Sequence, residues 1–458
     1  MGGLYQMEIK VETLRTLINE ADFESKKEHA EKLGITKDKL NEIIKNAKIN
    51  SQEELYDLCS FFGITPTDLD IKERQQTHYK EREAGDDFVD VTNNTILPAR
   101  PYKVLEVFAG AGGLMLGLEE AGFETAAALE INKHACATLK TNRPDLNVIE
   151  GDIAEIVKEG IRNYIGYEEI DVLSGGYPCQ AFSFAGKKLG LKDTRGTLFY
   201  WYAQLLNELR PKIFLAENVR GLVSHEQGKT LQGMMDVFDE IGYTVTYKVL
   251  KATNYNVAQK RERIFIIGVR KDLEVTFNFP APRDYIPVLR DVLQDVPDSP
   301  GRKYPERKRQ IMEMVPPRGY WRDLPIEIQK EYMKGSFYLG GGKTGIARRI
   351  SWDEPCLTLT TAPDMKQTER CHPEETRPFT VREYARIQSF PDSWRFEGSM
   401  TEQYKQIGNA VPVELARHVG LAMINTLNLI VTPNLIDKSG EEEPQELMEQ
   451  MDIFSLVK

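Results

Sequence analysis

From residue 102 onward short apolar runs alternate with helix-length stretches, and this feature constrains the fold more than any other. Such alternation marks βα units laid into a parallel sheet, because parallel neighbours need a crossover long enough for a helix. Five runs read as strands: Tyr102 to Phe108, Thr125 to Leu129, Asn147 to Glu150, Asp171 to Ser174 and Ile213 to Ala216. A helix over Leu114 to Ala121 follows the first. Ligands of open α/β sheets bind outside the carboxyl ends of the strands. Here those ends carry a Gly-rich turn at 109–113, Glu130, Gly151-Asp152, a Gly175 to Gln180 segment containing Cys179, and Glu217. Five chemically armed strand ends in register point to a site.

The 458 residues allow roughly three domains at about 150 residues each. Residues 1–70 show helical periodicity, with Gly34 ending one segment, Thr36 capping the next, and Ser51 and Glu54 forming a capping box. This part resembles a Cro/Xre-type helix-turn-helix and is expected to be all-α; a helical domain that binds only protein or its own catalytic neighbour is the alternative. Residues 71–101, charged and ending in Pro98 and Pro101, read as a linker. The αβ pattern spans 102–280, lapses over 281–380 and returns over 381–432. There, Leu415 to Val431 reads as an amphipathic helix. Residues 433–458 read as an acidic tail.

The net charge of −11 argues against a uniformly basic coat but leaves room for a local basic cleft. Five cysteines, an odd number with no C-x-x-C pair, suit a reducing cytosol and exclude a disulfide scaffold. With no apolar leader at the N-terminus and no membrane-spanning stretch, a cytoplasmic location is expected. Whether residues 1–6, ahead of Met7, are native is left open.

A G-x-G-x-x-G dehydrogenase fingerprint would need glycine where the chain has Met115, so pyrophosphate binding is disfavoured. Glu130, about twenty residues past the turn, suits a pair of ribose hydroxyls and hence an adenosine-type cofactor. Cys59, Cys136 and Cys356 read as small buried hydrophobes. Cys179 differs: it follows a proline at a strand end, with glycines behind it, where a thiolate can act as a nucleophile.

In this order and spacing the motifs identify a chain similar to the DNA (cytosine-5) methyltransferases. The matches are Phe108 to Gly113 (FAGAGG), Glu130, Asp152-Ile153, Gly175 to Gln180 (GGYPCQ), Asp193 to Phe199 and Glu217 to Val219. They continue with Gln259 to Arg263 (QKRER), Arg382-Glu383, Arg386 to Pro391 and Gly408 to Pro412 (GNAVP). The resemblance implies a Rossmann-like, S-adenosylmethionine-dependent α/β domain with a smaller target-recognition domain, releasing S-adenosylhomocysteine. By that resemblance Cys179 attacks C6 of a flipped cytosine, Glu217 binds N3 and the exocyclic amine, Arg263 holds the base, and Arg261 supports its loop and the DNA backbone. The cofactor would meet Phe108, Gly110, Gly112, Glu130, Asp152, Ile153, Pro178, Leu198, Asn409 and Val411. Ile131 stands where many relatives carry an aromatic residue against adenine. The segment 181–196 would close over the flipped nucleotide.

Residues 281–350 hold 14 Lys/Arg against 9 Asp/Glu, with aromatics interleaved. This basic stretch suits target recognition, since arginines read guanine edges and cations neutralise phosphates; a small surface-charged β-domain is the bland alternative. Ser183, Arg195, Gln259, Arg348, Arg349 and Thr358 are the expected DNA contacts, and no metal is expected. The reading is a double-stranded-DNA modification enzyme of a bacterial restriction–modification system, functionally paired with an endonuclease, whose N-terminal domain binds operator DNA. RNA methylation and a catalytically inactive regulator are the alternatives.

Overall fold

The computed structural model describes residues 7–8, 48–49, 62, 72–73, 88–91, 96–166, 169–177, 197–338 and 344–432. The chain divides into two units, Met1–Asp86 and Asp87–Lys458. In the first, strand β1 (Met7–Glu8) pairs antiparallel with β2 (Lys48–Ile49) and β3 (Lys72–Glu73). The described residues of this unit are these three short strands and the helical Phe62, so the unit is not purely α-helical; the rest of the predicted helix-turn-helix segments lies outside the described residues.

The second unit is built on a seven-stranded sheet in the order β6-β5-β4-β7-β8-β11-β9. Its elements begin with β4 (Tyr102–Val107), α1 (Gly113–Ala121), β5 (Phe123–Glu130), α2 (Lys133–Asn142), β6 (Val148–Glu150), α3 (Ile153–Glu159) and β7 (Val172–Gly175). They continue with α4 (Leu198–Leu209), β8 (Ile213–Val219), α5 (Lys229–Ile241), β9 (Tyr243–Lys251), β10 (Gln259–Lys260) and β11 (Glu262–Arg270). The five expected strands lie side by side and parallel. β9 and β11 extend the sheet, with β11 antiparallel to both neighbours. The strand order reverses direction between β4 and β7, which opens the crevice where such sheets bind ligands.

Successive residues of the central strands feed opposite faces, as the two-residue period of a strand requires. Leu105, Leu173, Phe214 and Ile266 pack with α3, α4 and α5. Val104, Val172, Leu215 and Phe265 pack with α1 and the long C-terminal helix on the other side.

Beyond the sheet come α6 (Glu306–Glu313), α7 (Ile326–Met333), β12 (Cys356–Leu357), α8 (Val381–Ile387), α9 (Met400–Asn409) and α10 (Val413–Val431). Residues 304–371 have their own small core around Met312, Trp321, Met333 and Cys371. They are not a β-domain: among the described residues their strand is β12, which pairs with β10 at the edge of the catalytic half.

Two expectations change. α10 is buried nearly all round rather than amphipathic, because α1 lies against it at close range. A Cβ on Gly117 would fall 2.4 Å from the Val413 carbonyl oxygen, and one on Gly420 would fall 2.7 Å from the Ala121 Cβ. The linker also ends earlier than residue 101. Val89 exchanges backbone hydrogen bonds with Phe279 and Ala281, Val91 is buried, and Arg100 donates to the Asp171 carboxylate. Phe88, Val89, Val91 and Ile96 cover apolar surface beside β11, which a solvated linker would leave wet.

Candidate active site

The turn after β4 is left-handed at three positions: Phe108 (φ 57°), Gly110 (φ 54°) and Gly112 (φ 85°). Left-handed backbone at a non-glycine such as Phe108 is uncommon and costs free energy, so its surroundings must impose it. Part of that constraint is electrostatic. The Gly110 N–H donates to Glu130 Oε2 at 2.7 Å, and the Asn132 N–H donates to Oε1 at 2.8 Å. One carboxylate thus ties the turn to the start of the next helix.

Around it the other strand ends converge. Gly151 N–H donates to the Glu130 carbonyl, bringing Asp152 alongside; Asp152 is exposed and caps α3, while Ile153 beneath it is buried. Ile131 is 65% exposed, an apolar face beside an acid. A Cβ at Gly110 would meet nothing within 4 Å, so that side of the turn is open. One at Gly113 would fall 2.4 Å from the Val411 carbonyl oxygen, so the 409–411 segment closes against the turn. Asn409 is exposed there, and Leu198 stands half-buried at the start of α4. An open glycine turn, a fixed carboxylate and an exposed aliphatic side chain suit an adenosyl group with a charged tail.

Across the crevice, Glu217 near the end of β8 is 9% exposed, and its Oε1 lies 2.9 Å from Nε of Arg263 on β11. The strands fix this pair, since Glu217 is in register with Phe265 and Val219 with Arg263. Burial pushes the Glu217 carboxyl up, against the pull of Arg263 and Arg261. A Cβ on Gly176 would fall 2.8 Å from Glu217 Oε2, so a side chain there would displace this carboxyl. Asn218 Nδ2 donates to the Tyr177 carbonyl at 2.8 Å. Neighbouring residues of β8 therefore fix the backbone that leads directly to Pro178 and Cys179; those two, with Ser183 and Arg195, lie outside the described residues.

The model of the C-5 cytosine-specific DNA methylase family matches residues 102–425. The chain belongs to that family. It is 51% identical over 414 residues to the Type II methyltransferase M.Sau96I of Staphylococcus aureus, covering 88% of this chain and 94% of the relative. It is 51% identical over 413 residues to M.Eco47II of Escherichia coli, covering 88% and 95%. A prophage-encoded DNA modification methyltransferase of E. coli superposes with a TM-score of 0.51 at 26% identity, over 71% of this chain and 99% of that one. The Spodoptera frugiperda DNMT2 structure shares the fold, with a TM-score of 0.52 at 19% identity over 70% and 99%. The protein is an S-adenosylmethionine-dependent DNA cytosine-5 methyltransferase.

Several expected contacts of this methylase are structural instead. Arg261 is 1% exposed and donates to the carbonyls of Leu359, Gly408 and Asn409. Burial pulls its guanidinium down to about 9, and it cannot reach a phosphate or a base. Gln259 is buried with its amide spent on Leu359 N–H and Gln388. Arg349 is also buried, donating to the carbonyls of Val315, Met312 and His372 and to Thr376. Arg348 is held by the Glu354 carboxylate and the Arg318 carbonyl. Thr358 is partly exposed, its hydroxyl donating to the Lys260 carbonyl at 2.7 Å.

Sequence reasoning assigned no role to Asn218, Gln388 or Trp394. All three stand inside or beside quoted motifs, but their partners are far away in sequence. Cys136 and Cys356 are buried as expected. No helix among the described residues is long and apolar enough to cross a membrane.

Proposed function

We propose that this methylase is the modification enzyme of a Type II restriction–modification system, acting at a short specific duplex site through a covalent adduct of Cys179. Relatives named as Type II methyltransferases support the biological setting. The observation that carries the chemistry is the buried Glu217–Arg263 pair facing Gly176 and Tyr177, three and two residues before the thiol.

Position 5 of cytosine is a poor nucleophile. The Cys179 thiolate adds to C6, and the electrons of the C5–C6 double bond move toward C5 and the N3 side of the ring. A protonated Glu217 meets that developing charge at N3, the task for which a raised carboxyl is suited. Arg263 holds both the carboxyl and the base carbonyl. S-adenosylmethionine, when bound, supplies an electrophilic methyl group, and C5 takes it as S-adenosylhomocysteine is released. Loss of the C5 proton to water then re-forms the double bond and expels the thiolate. The cofactor's ribose would rest on Glu130 and its adenine on Ile131, with Asp152, Ile153, Asn409 and Val411 around them.

An endonuclease of the same specificity is the functional partner, operator DNA is the ligand of the N-terminal unit, and the cytoplasm is the location. Incubation with tritiated S-adenosylmethionine and mixed-sequence duplex DNA, beside Cys179→Ser, tests the chemistry. Label from the wild type alone is expected, and sequencing the modified cytosines then gives the site. Equal labelling by both proteins would remove Cys179 from the mechanism. A gel shift with the full chain and its upstream DNA tests the operator role, with a shift expected.

A further inference from the structure

We propose that Trp394, on the return segment, is a positioning residue of the cofactor turn and sets the affinity for S-adenosylmethionine. The inference deepens the cofactor assignment above and rests on it.

Trp394 lies 283 positions from the turn, yet its indole Nε1–H donates to the Ala111 carbonyl at 3.1 Å. A Cβ on Gly112 would stand 3.0 Å from Trp394 Cζ2, so the ring occupies the space a side chain at 112 would need. The Arg143 guanidinium lies over the ring, 5.2 Å from its centroid, and is itself paired with Glu119 of α1. Arg382 donates to the Trp394 carbonyl at 2.8 Å, fixing the backbone that carries the ring. The indole is 2% exposed.

The following residues bind the second half of α2. Arg395 N–H donates to Asn142 Oδ1, Asn142 Nδ2 donates back to the Arg395 carbonyl, and Glu397 N–H donates to Thr138 Oγ1. These hold α2, which begins just after Glu130 and Ile131. A single short segment thus braces both the glycine turn, through Ala111, and the helix that follows Glu130. Three of the turn's residues are left-handed, and its own bonds, Gly112 N–H to the Ala109 carbonyl and Gly110 N–H to Glu130, leave the Ala111 carbonyl to the indole. The indole supplies a hydrogen bond and a packed face that hold it in the geometry the cofactor needs. Preorganisation of this kind appears in binding affinity, because a loosened turn must be reordered when the ligand arrives.

The test compares wild type, Trp394→Phe and Trp394→Leu by equilibrium dialysis with tritiated S-adenosylmethionine and by steady-state kinetics. Losing only the N–H should weaken binding about fivefold, the worth of one neutral hydrogen bond. Losing the ring as well should weaken it roughly twentyfold or more, with kcat at saturating cofactor and KM for DNA little changed. Cofactor added to the DNA-free wild type should also shift its tryptophan emission, and Trp394→Phe should lack that shift. Should the leucine variant fail to fold, the phenylalanine variant carries the test. An unchanged cofactor Kd in folded Trp394→Phe, or a fall in kcat with Kd intact, overturns the proposal while leaving the cofactor assignment standing. Absence of binding by the wild type would overturn both.

Discussion

Nε of Arg263 sits 2.9 Å from Oε1 of Glu217, across two antiparallel strands that meet at the mouth of the crevice. The guanidinium favours the ionised acid, yet burial outweighs it and the carboxyl is raised. Glu217 should therefore keep its proton to higher pH than an exposed glutamate, and lose it as pH climbs through the raised value. Single-turnover methyl transfer should fall across that interval. Glu217→Gln should lower the rate about a hundredfold or more and remove the descending limb. A rate profile unchanged by the substitution would take Glu217 out of proton transfer.

Glu130 accepts backbone hydrogen bonds on both oxygens, from Gly110 and Asn132. Glu130→Gln keeps the shape but turns an amide NH2 toward one of those N–H groups. Cofactor KM should rise about tenfold or more, the scale of losing a charge-assisted hydrogen bond, while kcat at saturation holds. Measuring kcat and KM at fixed saturating DNA separates the two effects.

The buried Arg349 makes a sharper contrast with the usual role of an arginine in a basic, DNA-facing region. Arg349→Ala leaves the carbonyls of Val315, Met312 and His372 without their donor. Stability should drop by about 3 kcal/mol, as when a buried charged network is broken. The salt dependence of DNA affinity, which counts neutralised phosphates, should not change. A salt slope shallower by about one would instead make Arg349 a phosphate contact.

Glu106, near the end of β4, accepts the Ser174 hydroxyl at 2.7 Å, and no cation pairs with it among the described residues. Burial raises its carboxyl from 4.5 to about 8. A raised acid stabilises the fold fully below its unfolded value and loses that contribution as pH rises through the folded one. Its share of stability should thus decline between about pH 4.5 and 8. Glu106→Gln, which mimics the neutral acid, should flatten the dependence of Tm on pH over that window. A parallel profile for both proteins would mean that Glu106 does not titrate there.

Much of this was legible before any coordinates. The five parallel strands, the helix after the first turn and the carboxylates and glycines at the strand ends stand where local periodicity puts them. β9 and β11 were missed, although their runs are readable: YTVTYKVLK alternates and ERIFIIGVR is apolar almost throughout. The basic count over 281–350 was real, but it treated every arginine as if it faced solvent.

The sequence by itself determined the family, the chemistry and the order of the site segments. Turn glycines, a prolyl-cysteine and strand-end acids act through short-range geometry that a few neighbouring residues specify. Only the tertiary structure decided which polar side chains reach a ligand. Arg261, Gln259 and Arg349 are enclosed by segments 147, 129 and 34 positions away, and it is the acceptors there that consume their donors. The same holds for Trp394 against Ala111. Whether a guanidinium binds phosphate or braces a loop depends on what covers it, and in this chain the covering segments are remote in sequence.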